Sequence, residues 1–99
     1  MSGLSAVVIT RNEAHNIVRC LRALKGVCTD VVVVDAESSD DTAALARAEG
    51  ARVIVRKWTD YSDQKNFANA QAVHPWVLSL DADEELSDTL RTALLRALD

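Results

Sequence analysis

Four carboxylates crowd the stretch VLSLDADEEL, residues 77–86, where Asp81, Asp83, Glu84 and Glu85 follow an apolar run that reads as a buried strand. Like charges so close repel one another unless something neutralises them. A hard divalent cation would do so, since Mg²⁺ or Mn²⁺ takes oxygen ligands and commonly joins one or two protein acids to the oxygens of a substrate diphosphate. The alternation in Asp81-Ala82-Asp83 aims one carboxylate into a cleft and the other at the ion. Glu84 and Glu85 then fall to a solvated turn, favoured by the dipole of the helix that follows, with Ser87 as its cap. An Asp-X-Asp match by itself is short enough to arise by chance; its place at a strand end, opposite Asp35, is what turns it toward function.

Other polar residues carry two readings each. Asp35 ends the run VVVVD and either holds the turn DAESSD or accepts hydrogen bonds from a base or a ribose. Lys65 falls in the expected first turn of a helix, where the dipole disfavours a cation, so either a nearby anion accounts for it or it is simply solvated. Arg56 and Lys57 meet phosphate or water. Trp58 and Tyr61 stack on a ligand ring or seal the edge of the core. His15 and His74 have no partner at metal spacing and read as surface or capping residues. Arg19, Arg22 and Lys25 recur along one helix face, a solvated stripe whose alternative is contact with anionic lipid headgroups. The turn TRNEAHN contains no glycine, which excludes a dinucleotide fingerprint or a P-loop there and leaves phosphate in need of another counter-charge.

The elements that must position these groups alternate. Leu4–Ile9 is a β-branched apolar run ending at Thr10, as for a parallel strand covered on both faces. Ala14, Ile17, Val18, Leu21 and Leu24 recur with helical spacing, and Gly26 suits the left-handed position beyond the helix end. Val31–Val34 stops at Asp35; Ser38 and Ser39 are expected to cap an alanine-rich helix with Asp40 and Asp41 in its first turn, closed by Gly50. Arg52–Arg56 is a third strand, followed by a loop over Lys57–Ser62 and a short helix over Asp63–Ala72. Pro75 separates that helix from a fourth strand, Trp76–Leu80. A last amphipathic helix carries Leu86, Leu90, Ala93, Leu94 and Ala97. This βαβαβαβα rhythm implies a three-layer α/β/α domain on a mainly parallel four-stranded sheet, with ligands beyond the carboxyl ends of the strands: Thr10, Asp35, Arg56 and Asp81.

The totals bound the answer. Ninety-nine residues, 48% hydrophobic and 26% charged, suit one compact domain spanning 1–99. A net charge of -4 argues against a nucleic-acid partner. Cys20 and Cys28 are too few for a disulfide scaffold and read as reduced thiols. No membrane span is present in the sequence, and Met1–Leu4 lacks a signal-peptide layout, so a cytoplasmic protein is expected.

The segments SAVVITRNEAHNI, VVVVDAESSDDT and WVLSLDADEEL, in this order and spacing, resemble the N-terminal nucleotide-binding half of the family 2 glycosyltransferases, inverting enzymes of the GT-A fold. The stretch DYSDQKNFA is also similar to a bacterial subgroup that adds sugars to the lipopolysaccharide core. The resemblance implies a Rossmann-like half of a GT-A fold, in which Thr10 and Glu13 line the nucleotide pocket, Asp35 contacts uracil and Lys65 lies near base and phosphate. It places Asp81 near the ribose and the metal, and Asp83 on the metal, Mn²⁺ or Mg²⁺. It implies a nucleotide-sugar donor, UDP-linked, and a glycan or glycolipid acceptor, with possible work at the inner face of the membrane. Two departures stand out. The family usually has glycine where Glu37 or Asp41 stands, and no residue matches the catalytic base, which in the family comes from an acceptor-binding half that is not expected within residues 1–99. Two alternatives remain beside the transferase: a nucleotide-binding module without turnover, and a magnesium-dependent phosphotransfer domain, whose motif wants Thr or Val where Glu85 stands.

Overall fold

The computed structural model describes residues 3–84 and 86–98. The readings made for Glu85 and for the Met1–Ser2 start lie outside the described residues. Four strands and four helices alternate: β1 (Leu4–Thr10), α1 (Ala14–Leu24), β2 (Asp30–Asp35), α2 (Thr42–Ala48), β3 (Arg52–Val55), α3 (Tyr61–Ala70), β4 (Trp76–Asp81) and α4 (Asp88–Leu98). The sheet is wholly parallel, ordered β3-β2-β1-β4. Successive strands build outward in one direction from β1 to β3, and β4 then returns to the other side of β1. The direction reverses between β1 and β4, so the switch-point crevice of an open α/β sheet falls at their carboxyl ends.

Side-chain alternation along β1 sorts the core into two layers. Leu4, Ala6 and Val8 face a cluster with Ile17, Leu21 and Leu24 of α1, Ala46 of α2 and Leu86 before α4. Val7, Val32 and Val34 point the other way, onto Ala68 and Phe67 of α3. All seven residues of β1 are buried, as its continuous apolar run predicts. Full burial of an aliphatic side chain such as Ile17 contributes about 1.5–3 kcal/mol. Cys20 and Cys28 are unpaired, and burial pushes both thiols up to about 11, so they stay protonated near neutrality.

Several expectations are corrected. The run ending at Leu80 is an edge strand and not a fully buried one: among the described residues β4 pairs with β1 alone, and Leu80 is buried while Trp76 is 64% exposed. Ser38 and Ser39 do not cap α2, which begins at Thr42 without a side-chain cap. Helix α3 begins at Tyr61, two residues early, because Asp60 is its N-cap and accepts from the Asp63 amide at 2.8 Å. Helix α4 is capped by Ser87 as expected, at 3.1 Å from the Leu90 amide, but Leu90 itself is exposed. Leu86 and Leu94 do the packing, and Arg91 pins the helix to α1 by donating to the Ala23 carbonyl at 3.0 Å. No described helix is long and apolar enough to cross a membrane.

Candidate functional site

The loops after β1 and β2 are laced together. Asn12 adopts a left-handed backbone, φ 54°, which asparagine tolerates better than most residues. Its amide donates to Ser38 Oγ at 2.8 Å, and its side-chain oxygen accepts from the Ser39 amide at 2.8 Å. The Glu13 amide donates to Thr42 Oγ1 at 2.9 Å and the Ala14 amide to Asp40 Oδ2 at 3.2 Å. The start of α1 is thus capped by the neighbouring loop. Asp40 also accepts from the Thr42 hydroxyl and amide. That hydroxyl bond, against some desolvation and helped by the Thr42 and Ala14 amides, holds its carboxyl below the usual carboxylate range.

Asp35 anchors this lacework from below. It is 1% exposed; its Oδ1 accepts from Thr10 Oγ1 at 2.7 Å and Ser38 Oγ at 2.5 Å, and its Oδ2 from the Ser38 amide at 2.9 Å. Ser38 and Ser39 fail to cap α2 because Asp35 and Asn12 have taken their polar groups. Glu37, between these bonds, is held at φ 52°, a conformation that suits the glycine usual in the resembling family.

Across β1 the rim opens into a cleft of about 440 Å³. Thr10, Arg11 and Glu13 form one wall, Trp58 and Tyr61 the other, and Asp81 and Asp83 lie at the end of β4. Asp81 Oδ1 lies 3.5 Å from Lys65 Nζ and accepts weakly from the Tyr61 hydroxyl at 3.4 Å. Asp83 is exposed. Glu84 is exposed, as expected of a solvated turn, and it also closes that turn: its Oε1 accepts from the Asp81 amide at 2.7 Å while its own amide donates to the Asp81 carbonyl at 2.9 Å.

Thr10, Glu13, Asp81 and Asp83 therefore share one cleft, with Asp35 beneath it through Thr10 and Lys65 behind Asp81. Lys65 sits in the second turn of α3, not the first, and the anion beside it is the protein's own Asp81. Arg56 is committed to α3, donating to Gln64 at 2.7 Å and Asp63 at 3.1 Å and stacking 4.5 Å from the Phe67 ring. Arg22 and Lys25 pair with Glu49 at 3.0 and 3.3 Å, and both side chains stay exposed on the α1 stripe. Arg11 was not singled out from the sequence, although its place directly after a buried strand was the available signal. The link from Tyr61 to Asp81 joins residues twenty apart and had no local signal.

Among the described residues, no group of three or more His, Cys, Asp or Glu converges as a cage for a metal. The donors at the cleft are two carboxylates, Asp81 and Asp83, all oxygen and hard. That set suits Mg²⁺ or Mn²⁺, ions that keep water and complete their shell with substrate phosphate, and does not suit zinc.

A parallel four-stranded sheet with helices on both faces and a polar crevice at its switch point is the Rossmann-like half of a GT-A-type fold. Residues 5–99 match glycosyl transferase family 2, and the chain belongs to that family. It is 48% identical over 91 residues to an uncharacterized glycosyltransferase of Rickettsia felis, covering 92% of this chain and 32% of that protein. It is 38% identical over 96 residues to the lipopolysaccharide core biosynthesis glycosyltransferase LpsC of Rhizobium meliloti, covering 92% and 35%. The chain thus spans about a third of the length of these curated relatives. The fold is shared with glucosyl-3-phosphoglycerate synthase of Mycobacterium tuberculosis, solved with Mn²⁺, UDP-glucose and glycerol 3-phosphate, at TM-score 0.74 and 20% identity, covering 85% of this chain and 36% of that one.

Proposed function

We propose that this chain is the donor-binding domain of a glycosyltransferase that takes a UDP-linked sugar with a divalent metal and passes the sugar, with inversion, to a lipopolysaccharide-core or other envelope glycan acceptor at the cytoplasmic side of the membrane. The observation that carries this reading is the meeting of Thr10, Glu13, Asp81 and Asp83 in one cleft at the switch point, in a chain of this family. The likeness to LpsC supports the envelope acceptor, and the nucleotide sugar and Mn²⁺ held by the mycobacterial synthase support the donor and the ion.

Each residue has a part that its surroundings allow. Asp83, exposed, and Asp81 would hold the metal, which when bound offsets the charge that develops on the departing diphosphate. Thr10 and Glu13 line the pocket beside it. Asp35, 1% exposed beneath the pocket, would act by fixing Thr10, from whose hydroxyl it accepts at 2.7 Å. Trp58 and Tyr61 offer rings for a sugar to pack on.

Titrating UDP with and without Mn²⁺ while recording amide shifts tests the reading. Metal-dependent changes are expected at Thr10, Asp35 and Asp83; changes confined to the outer helix faces would overturn it. Asp83→Ala should weaken the metal-dependent binding by more than about tenfold, or 1.4 kcal/mol. Glu85→Ala should not, and equal losses would end the division of labour. A second reading is binding of the nucleotide without turnover. Release of UDP from UDP-sugar with Mn²⁺ separates the two.

A further inference from the structure

Asp81 and Asp83 stand two residues apart at the cleft in different electrical situations. Asp81 shares Oδ1 with two groups of α3, the Lys65 ammonium at 3.5 Å and the Tyr61 hydroxyl at 3.4 Å. The Lys65 side chain is 19% exposed against 46% for that of Asp81, so the cation is the more enclosed partner. The same ammonium lies 5.5 Å from the centre of the Tyr61 ring, one helical turn back along α3. Asp83 has no such cation beside it among the described residues.

We infer that Lys65 opposes divalent-cation binding at Asp81 and Asp83 until an anion draws its ammonium away, so that the metal is held well only together with a diphosphate. The inference rests on the donor-site reading above for the identity of that anion. A dication approaching Asp81 meets a carboxylate whose charge is already answered and a unit positive charge within a few ångströms. In water-like surroundings that repulsion amounts to about tenfold in affinity. A diphosphate reverses the balance, because it offers the ammonium a stronger negative partner and the metal further oxygen ligands. Lysine suits the role: its charge is compact and rides on a flexible stem that can be re-aimed. Metal and nucleotide then tighten each other's binding by the same factor. Lys65 acts here through Asp81 and is a positioning residue.

The test counts bound Mn²⁺, by the loss of its free paramagnetic signal, for the full chain and for Lys65→Met and Lys65→Arg, first with Mn²⁺ alone and then with UDP. Without nucleotide, Lys65→Met is expected to bind Mn²⁺ about tenfold tighter than the parent, and Lys65→Arg, which keeps the charge, to stay near it. With UDP present the advantage of Lys65→Met should shrink, because the parent gains more from the nucleotide. Circular dichroism melts confirm that the variants are folded. Metal-alone binding by Lys65→Met that is equal to or weaker than the parent's overturns the inference, as does no binding by either. The metal-alone arm contains no nucleotide, so the two ideas fail separately: a tighter Lys65→Met beside a parent indifferent to UDP sinks the donor-site reading and leaves the opposition of Lys65 standing.

Discussion

Asp35 and Asp81 both end a strand that pairs with β1, one on each side of it, and their surroundings are opposite. Asp35 is 1% exposed and accepts three hydrogen bonds from Thr10 and Ser38. Asp81 keeps a half-exposed side chain with one ammonium at 3.5 Å and one weak hydroxyl contact at 3.4 Å. The cause is position in the sheet. Strand β2 is interior, and the loop beyond it is tied to the loop after β1, whereas β4 is an edge whose following turn is closed, among the described residues, by Glu84. One half of the rim is complete without a ligand. The other half keeps its acids where a ligand would find them.

Asp35→Ala should break the comparison most severely, since it leaves the buried Thr10 hydroxyl and the part-buried Ser38 hydroxyl and amide short of their acceptor. A loss of about 2–4 kcal/mol in denaturant unfolding is expected. Asn12→Ala removes the acceptor of the Ser39 amide and places a less tolerant residue at positive φ, for a loss of about 1–2 kcal/mol by the same measurement. Asp40 gives the laced half an acid limit. Its carboxyl is held low, so its contribution is present above the unfolded value of about 4 and fades as pH falls through the lower folded one. The Ala14 and Thr42 amide signals should therefore move below about pH 4 and lose that movement in Asp40→Asn. Glu37→Gly should change stability by less than about 1 kcal/mol, because relief of the left-handed strain is offset by a freer unfolded chain. Asp83→Ala, on the open half, should shift unfolding by no more than about 0.5 kcal/mol; a larger loss would mean that this half is braced as well.

The sequence announced the layers because β-branched runs and helical apolar spacing are local signals, and β1 through α4 appear in the expected order. It announced the strand-end acids for the same reason. What it concealed depends on contacts between distant residues. Ser38 and Ser39 looked like helix caps because their nearest competitors, Asp35 and Asn12, become visible only when two loops meet. Val77-Leu78-Ser79-Leu80 read as buried, since nothing in four residues says that α3 will lie over β1 and β2 and leave β4 at the margin. Lys65 was read from a helix start placed too late; Asp60 was the missed signal, and the anion that answers Lys65 lies sixteen residues further on.

The margin at β4 has a practical consequence. Its outer backbone groups face away from β1, and Trp76 and Val77 beside them are exposed. Among the described residues no second strand pairs with that edge, and an unpaired, partly apolar edge invites another strand to add to it. Concentrated solutions of this polypeptide should therefore self-associate through that edge, and Val77→Lys, a charge where a second chain would have to dock, should raise the concentration at which they stay clear.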